Sequence, residues 1–219
     1  MSNTIAHWKR HFKSALIESG AVQRLVSMEH IEARCAQAGQ RWRQSFWSPS
    51  VTMLTFLLQV LNPAKTLRAA VAEALGQFML DHPHDELPSA DPSAYSQARQ
   101  KLPEQALAAL LRDAGNQTHA IAGDDQLWCG HRVIMIDGSN VSMPDEPELQ
   151  QAFPQPVGQK KGCGFPIGYL TVMFDWASGV VIDHRIDVQG ELTMFRAMLD
   201  QFKPGDVALA DRYYCSFVD

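Results

Sequence analysis

Two aspartates, Asp137 and Asp211, each close a short apolar run, and acids at strand ends are well placed to hold a divalent cation. Asp137 ends Arg132-Val133-Ile134-Met135-Ile136, a β-branched run that reads as a central strand buried on both faces. Asp211 ends Asp206-Val207-Ala208-Leu209-Ala210, a second apolar run. Between them, Tyr169–Trp176 and Val180–Val188 are strand-like, and Ala177-Ser178-Gly179 joins them as a hairpin. Glu191–Phe202 reads as a helix with Leu192, Phe195, Met198 and Leu199 on one face, and Lys203-Pro204-Gly205 ends it. The order strand, strand, strand, helix, strand lets the last strand return parallel to the first and directly beside it. With adjacent strands roughly 4.8 Å apart, the two carboxylates then meet at one edge of the sheet. Like charges that close repel, and a cation relieves them. Carboxylate and water ligands suit Mg²⁺ or Mn²⁺, and paired metals about 4 Å apart can activate water and stabilise the leaving oxygen in phosphodiester cleavage. Position alone does not decide the role, because an Asp after a strand also caps the next helix and Asp-Gly is a common turn dipeptide.

The elements upstream are helical through residue 122, about six in number. Ser48-Pro49 supplies a cap and a first-turn proline ahead of Val51–Leu61, which Asn62-Pro63 stops. Leu67, Ala70, Val71, Ala74, Leu75 and Phe78 recur on one helical face. Asp91-Pro92 restarts a helix through Tyr95 and Arg99, and Pro103 opens another carrying Leu107, Leu110 and Leu111. Residues 138–165, rich in Pro, Gly and Gln, read as an excursion loop.

The whole chain has 219 residues, 46% hydrophobic and 20% charged, an ordinary globular composition for one or two domains. Its longest apolar run, Val51–Leu58, is far short of the roughly 20 residues a membrane helix needs. The first ten residues lack an apolar signal core, and Cys35, Cys129, Cys163 and Cys215 are too scattered for a disulfide framework, so the expected compartment is the reducing cytoplasm. Net charge is −5, unevenly spread: residues 1–50 carry seven Lys/Arg against three Asp/Glu, and residues 131–219 carry seven against twelve. A basic head on an acidic body fits a DNA-contacting module, and it equally fits a solvated helical face.

Several separated stretches resemble one family. They are Ile136-Asp137-Gly138-Ser139 with Pro144-Asp145, Gly162-Cys163-Gly164-Phe165-Pro166, Phe174–Gly179, Gly190-Glu191-Leu192 and Gly205–Tyr214. Together, residues 133–216 resemble the catalytic domain of insertion-sequence transposases of the insertion-sequence-four family, within the DDE superfamily. Upstream, Ser48–Thr52 and Tyr95–Leu102 resemble that family's helical N-terminal region. The resemblance implies an α+β (or α/β) chain: an all-helical, DNA-binding region over 1–122, followed over 131–219 by a partial ribonuclease-H-like mixed sheet with a crossover helix. It also implies metal-dependent cleavage of transposon ends and strand transfer into target DNA, Mg²⁺ or Mn²⁺ as cofactor, double-stranded DNA as partner and a homo-oligomer on DNA. Asp137 and Asp211 take the places of the family's first two catalytic, metal-binding carboxylates. The family's third acid, a Glu in a Tyr-Arg-Glu setting, has no counterpart in the eight residues after Asp211. The expectation is therefore a chain truncated after its second Asp and inactive alone. The alternatives are a non-catalytic DNA-binding or inhibitory fragment, or an inert remnant.

The remaining candidates have plainer readings beside the sharp ones. Glu191 is a tempting substitute for the third acid, but it opens the crossover helix ahead of Asp211. Arg212 suits a bidentate phosphate contact and equally a surface pairing with a nearby acid. Lys160 and Lys161 could touch the DNA backbone or simply keep a loop soluble. Cys129, His131 and Cys163 suggest zinc but match no common spacing and lack a fourth ligand. Trp8, Trp42, Phe46 and Trp47 lie among basic residues, as in nucleic-acid binders, although core packing explains them more simply.

Overall fold

A computed structural model describes residues 26–43, 45–121, 123–155 and 164–214. The chain divides into two compact units, Met1–Leu110 and Leu111–Asp219. In the first lie α1 (Met28–Gln37), α2 (Pro49–Leu61), α3 (Leu67–Asp81), α4 (Pro92–Gln100) and the opening turns of α5 (Glu104–Ile121). Five helices thus precede the first strand among the described residues, against the six or so expected. Each of the first four starts on a side-chain cap. The oxygens of Ser27, Ser48, Thr66 and Asp91 accept the N–H groups of His30, Val51, Ala69 and Ser93, bonds that stabilise a helix start by about 1 kcal/mol each. Asn62 ends α2, as its Asn-Pro sequence requires. Two apolar clusters hold this unit. Trp47, Ala70, Val71, Leu75, Tyr95 and Ala98 form one, with Trp42 and Phe46 packed against it. Ile31, Cys35, Met53, Ala106 and Leu110 form the other. The aromatics at 42–47 are therefore core residues, and Trp8 lies outside the described residues.

The second unit is built on a four-stranded mixed sheet, so the chain is α+β. The strands are β1 (Val133–Ser142), β2 (Ile167–Asp175), β3 (Val181–Asp187) and β4 (Val207–Leu209), in the order β3-β2-β1-β4. β2 pairs antiparallel with both β1 and β3, and β4 returns parallel beside β1, as the element order predicts. Ile134, Ile136, Met173, Ile182, Phe195, Met198 and Tyr214 make its core.

Three local expectations are corrected. β1 does not stop at Ile136: it runs on through Asp137 to Ser142 because β2 pairs with it all the way to Ser142↔Ile167. Gly138–Ser142 is weak strand sequence, and the partner strand overrides that propensity. Within the stretch read as a loop, Pro147–Ala152 forms a short helix, α6, with proline in its first turn. The crossover helix α7 is only Glu191–Arg196, followed by a 3₁₀ turn at Leu199–Gln201. The break at Met198 buries that side chain completely and leaves Leu199 exposed, off the face that a continuous helix would give it.

α5 approaches β3 through Gly115. A Cβ at this position would lie 2.9 Å from Ile182 Cγ2 and 3.0 Å from the Ile182 Cα. Alanine normally gains about 1 kcal/mol over glycine inside a helix. Here the contact is partly with backbone, which cannot turn away, and overpacking costs about 1–3 kcal/mol. Gly115→Ala is therefore expected to lower the stability of this unit, measured by urea denaturation, despite its better helix propensity.

Candidate functional site

The β1–β4 ladder sets the geometry. Its pairs are Val133↔Val207, Ile134↔Ala208 and Met135↔Leu209. Asp137 and Asp211 each lie two residues beyond the last pair, Asp137 still within β1 and Asp211 past the end of β4. Both are exposed, and they line one hollow with Met135, Ile136, Phe174, Leu209 and Ala210. The structure thus brings the two predicted acids together, although Asp137 sits within its strand and does not end it.

One oxygen of each carboxylate is occupied locally. Asp137 Oδ1 accepts the N–H of Gly138 at 2.9 Å, and Asp211 Oδ1 accepts the N–H of Tyr213 at 2.6 Å. Asp211 therefore caps the 3₁₀ turn Arg212–Tyr214, the plainer of its two expected roles, while its second oxygen stays available. Among the described residues, neither Oδ2 has a hydrogen-bond partner and no Lys or Arg pairs with either acid.

Glu191 is nearby but on the other side of the strand. It opens α7, and a Cβ on Gly138 would fall 2.1 Å from its carboxylate carbon. Strand alternation puts Gly138 on the face of Ile136 and Asp137 on the face of Met135. Tyr214, buried beside this edge, donates its hydroxyl to Glu191 Oε2 at 3.1 Å. Burial, then the charges of Glu191, Asp137 and Asp211, push the Tyr214 phenol well above its ordinary value, so it keeps its proton and remains a donor. The seat of Glu191 on Gly138 escapes sequence reasoning, although Gly138 itself was the available signal. No three His, Cys, Asp or Glu side chains converge as a metal-ligand group among the described residues.

The other candidates are not gathered here. Arg212 is exposed beside Asp211 and makes no ion pair among the described residues. Lys160 and Lys161 lie outside the described residues, as does Cys163. Of the zinc candidates, His131 instead bonds through Nδ1 to the Gly205 carbonyl at 2.8 Å.

Sequence reading also missed a set of buried charges. Asp175, fully buried, accepts Arg132 Nε at 3.0 Å and Ser178 Oγ at 2.6 Å, with His119 Nδ1 at 3.0 Å. Asp183, equally buried, faces Arg112 through Nε and Nη2, both at 3.1 Å. The signal was an acid inside or at the end of an otherwise apolar strand, which must find a partner if buried. Compared with protein-family models, with curated proteins and with solved structures, the chain matches none.

Proposed function

We propose that this chain carries the paired carboxylates of a DDE-type transposase, with a ribonuclease-H-like sheet presenting Asp137 and Asp211 to a divalent cation and DNA. The observation that carries the reading is that the two acids line one hollow, each two residues beyond the β1–β4 ladder. The donor set fits a hard cation such as Mg²⁺ or Mn²⁺: two carboxylates, each with one oxygen not otherwise engaged among the described residues. A cation held there supplies Lewis acidity toward a phosphodiester oxygen and lowers the pKa of water. The chain's own groups do the positioning. Gly138 and Tyr213 N–H groups fix the inner oxygen of each acid, and exposed Arg212 offers a planar fork to a phosphate beside Asp211.

Titration with Mn²⁺ followed by electron paramagnetic resonance tests the pair. Asp137→Asn and Asp211→Asn should each weaken binding tenfold or more, whereas Glu191→Gln, on the opposite face, should leave it within about threefold. The absence of a saturable site in the unmodified chain, or an Asp137→Asn variant that binds as well as it does, would overturn the reading. The DNA half is tested by selecting bound duplexes from a random pool, and Mn²⁺-dependent affinity for the selected sequence should fall in both the Asp137→Asn and Asp211→Asn variants.

A further inference from the structure

A second feature lies at the start of β1, away from the acid pair. Trp128 and Trp176 are 60% and 55% exposed, and with Asp125, Gln126, Leu127 and Ala177 they line a surface hollow of about 360 Å³. Exposed tryptophans are unusual, and a pair sharing a concave site marks a place where something docks.

Both rings are displayed from fixed backbone. Trp128 and His131 exchange hydrogen bonds of 3.0 and 2.9 Å across the turn at Cys129-Gly130. Cys129 adopts φ 51° and Gly130 φ 80°, and a left-handed cysteine is uncommon enough to indicate a turn held by its surroundings. The His131 ring bonds the Gly205 carbonyl and pins that turn from outside. The backbone N–H of Trp176 donates to the Val133 carbonyl at 2.9 Å, directly after the buried Asp175. Docking onto such a surface would order little that is not already ordered.

The charge around the hollow selects its occupant. Asp125 lines it and Asp124 adjoins it, both exposed, and among the described residues no cationic side chain lines it. Residues 111–219 as a whole carry eight Lys/Arg against fifteen Asp/Glu. Indole faces attract cations through their quadrupole, more strongly for Trp than for other rings, and a carboxylate at the rim adds to that attraction. The same carboxylates repel phosphate, so a stacked nucleotide suits the site less well. We propose that the Trp128–Trp176 hollow is a docking site for an arginine or lysine side chain presented by a basic partner polypeptide. The proposal stands independently of the acid pair.

The test uses the full chain and three probes: a tetra-arginine peptide, its tetra-citrulline counterpart and a single-stranded oligothymidine. Binding is read by calorimetry and by tryptophan fluorescence. Tetra-arginine should bind the unmodified chain, Trp128→Ala and Trp176→Ala should each weaken it tenfold or more, and Asp125→Asn several-fold. Glu148→Gln, which lies elsewhere, should change nothing. Because both indoles are exposed, the variants should keep the parent thermal melt, and Trp176→Phe should recover part of the affinity. Equal binding of the citrulline peptide would overturn the role of charge. Unchanged arginine binding in both Trp→Ala variants, or no arginine binding at all, would overturn the site. Oligothymidine binding that depends on the two tryptophans and exceeds arginine binding would overturn it in favour of base stacking.

Discussion

Replacing Asp175 with alanine is expected to destabilise the second unit by about 3–5 kcal/mol, the usual cost of stranding one member of a buried ion pair. The carboxylate is fully buried and serves Arg132, Ser178 and His119 together. Arg132 is itself 8% exposed, and its Nη2 already lacks a partner among the described residues. Asp206, at 3.9 Å from Nη1, is too far for a strong replacement bond. Removing Asp175 therefore leaves a buried guanidinium without its carboxylate, which costs far more than the pair gains over an apolar substitute. The same argument predicts that the double variant Arg132→Met with Asp175→Leu recovers most of the loss. Ser178→Ala, which removes one hydroxyl bond and leaves the backbone bond of Ser178 in place, should cost about 1 kcal/mol. Urea denaturation followed by circular dichroism measures all three, and amide exchange along β1 and β2 locates the effect. A cost under 1 kcal/mol for Asp175→Ala would mean that water reaches Arg132.

The same carboxylate gives the unit an acid limit. Burial alone would raise the Asp175 carboxyl, but the bonds from Ser178 and Arg132 and the charge of His119 outweigh it and hold it below its ordinary value of 3.8. A depressed folded-state value contributes stability that is present above the unfolded value and lost as pH falls through the folded one. The unmodified chain should therefore weaken progressively below about pH 3.8, and Asp175→Ala should lack that part of the acid dependence.

What was legible in the sequence follows from the range of the interactions involved. Helix starts at Ser48-Pro49 and Asp91-Pro92 rest on bonds two or three residues long, and they appear as read. The return of β4 beside β1 follows from a helical crossover and the geometry of parallel pairing, and it brings Asp137 and Asp211 to one hollow past the end of the ladder. The end of β1 was not legible, because residues 138–142 are strand only by virtue of β2. Nor were the buried charges: Arg132 finds Asp175 43 residues away, and Arg112 finds Asp183 71 residues away. No local pattern encodes such pairings. Glu191 shows both sides of this. Its place at the head of the crossover helix was readable, whereas its seat on Gly138 depends on how that helix lands on the sheet.

Tyr95→Ala should cost the first unit about 3–5 kcal/mol, and Tyr95→Phe only about 1 kcal/mol. The two variants separate what the ring does from what the hydroxyl does. The ring is wholly buried and packs on Trp47 at 4.9 Å between centroids, within the cluster that joins α3 to α4. Truncating it leaves a cavity inside that cluster, with a cost beyond the lost burial. The hydroxyl donates to Gln59 Oε1 at 2.8 Å, but Arg99 Nη1 reaches the same oxygen at 3.2 Å, so phenylalanine would not strand the buried amide. Denaturation curves for both variants check the ratio, and equal losses would mean that the polar cluster, not the ring, dominates. The outcome also bears on how Tyr95–Leu102 is understood. Tyr95 and Arg99 are among the residues that resemble a DNA-contacting helical region, yet both turn to Gln59, and Arg99 also lies over the Phe56 ring at 4.8 Å. Side chains engaged in that way support a helix, and the proposed DNA contacts of this region must come from other residues. On this basis Tyr95→Phe should leave DNA affinity unchanged, even where it lowers the melting temperature.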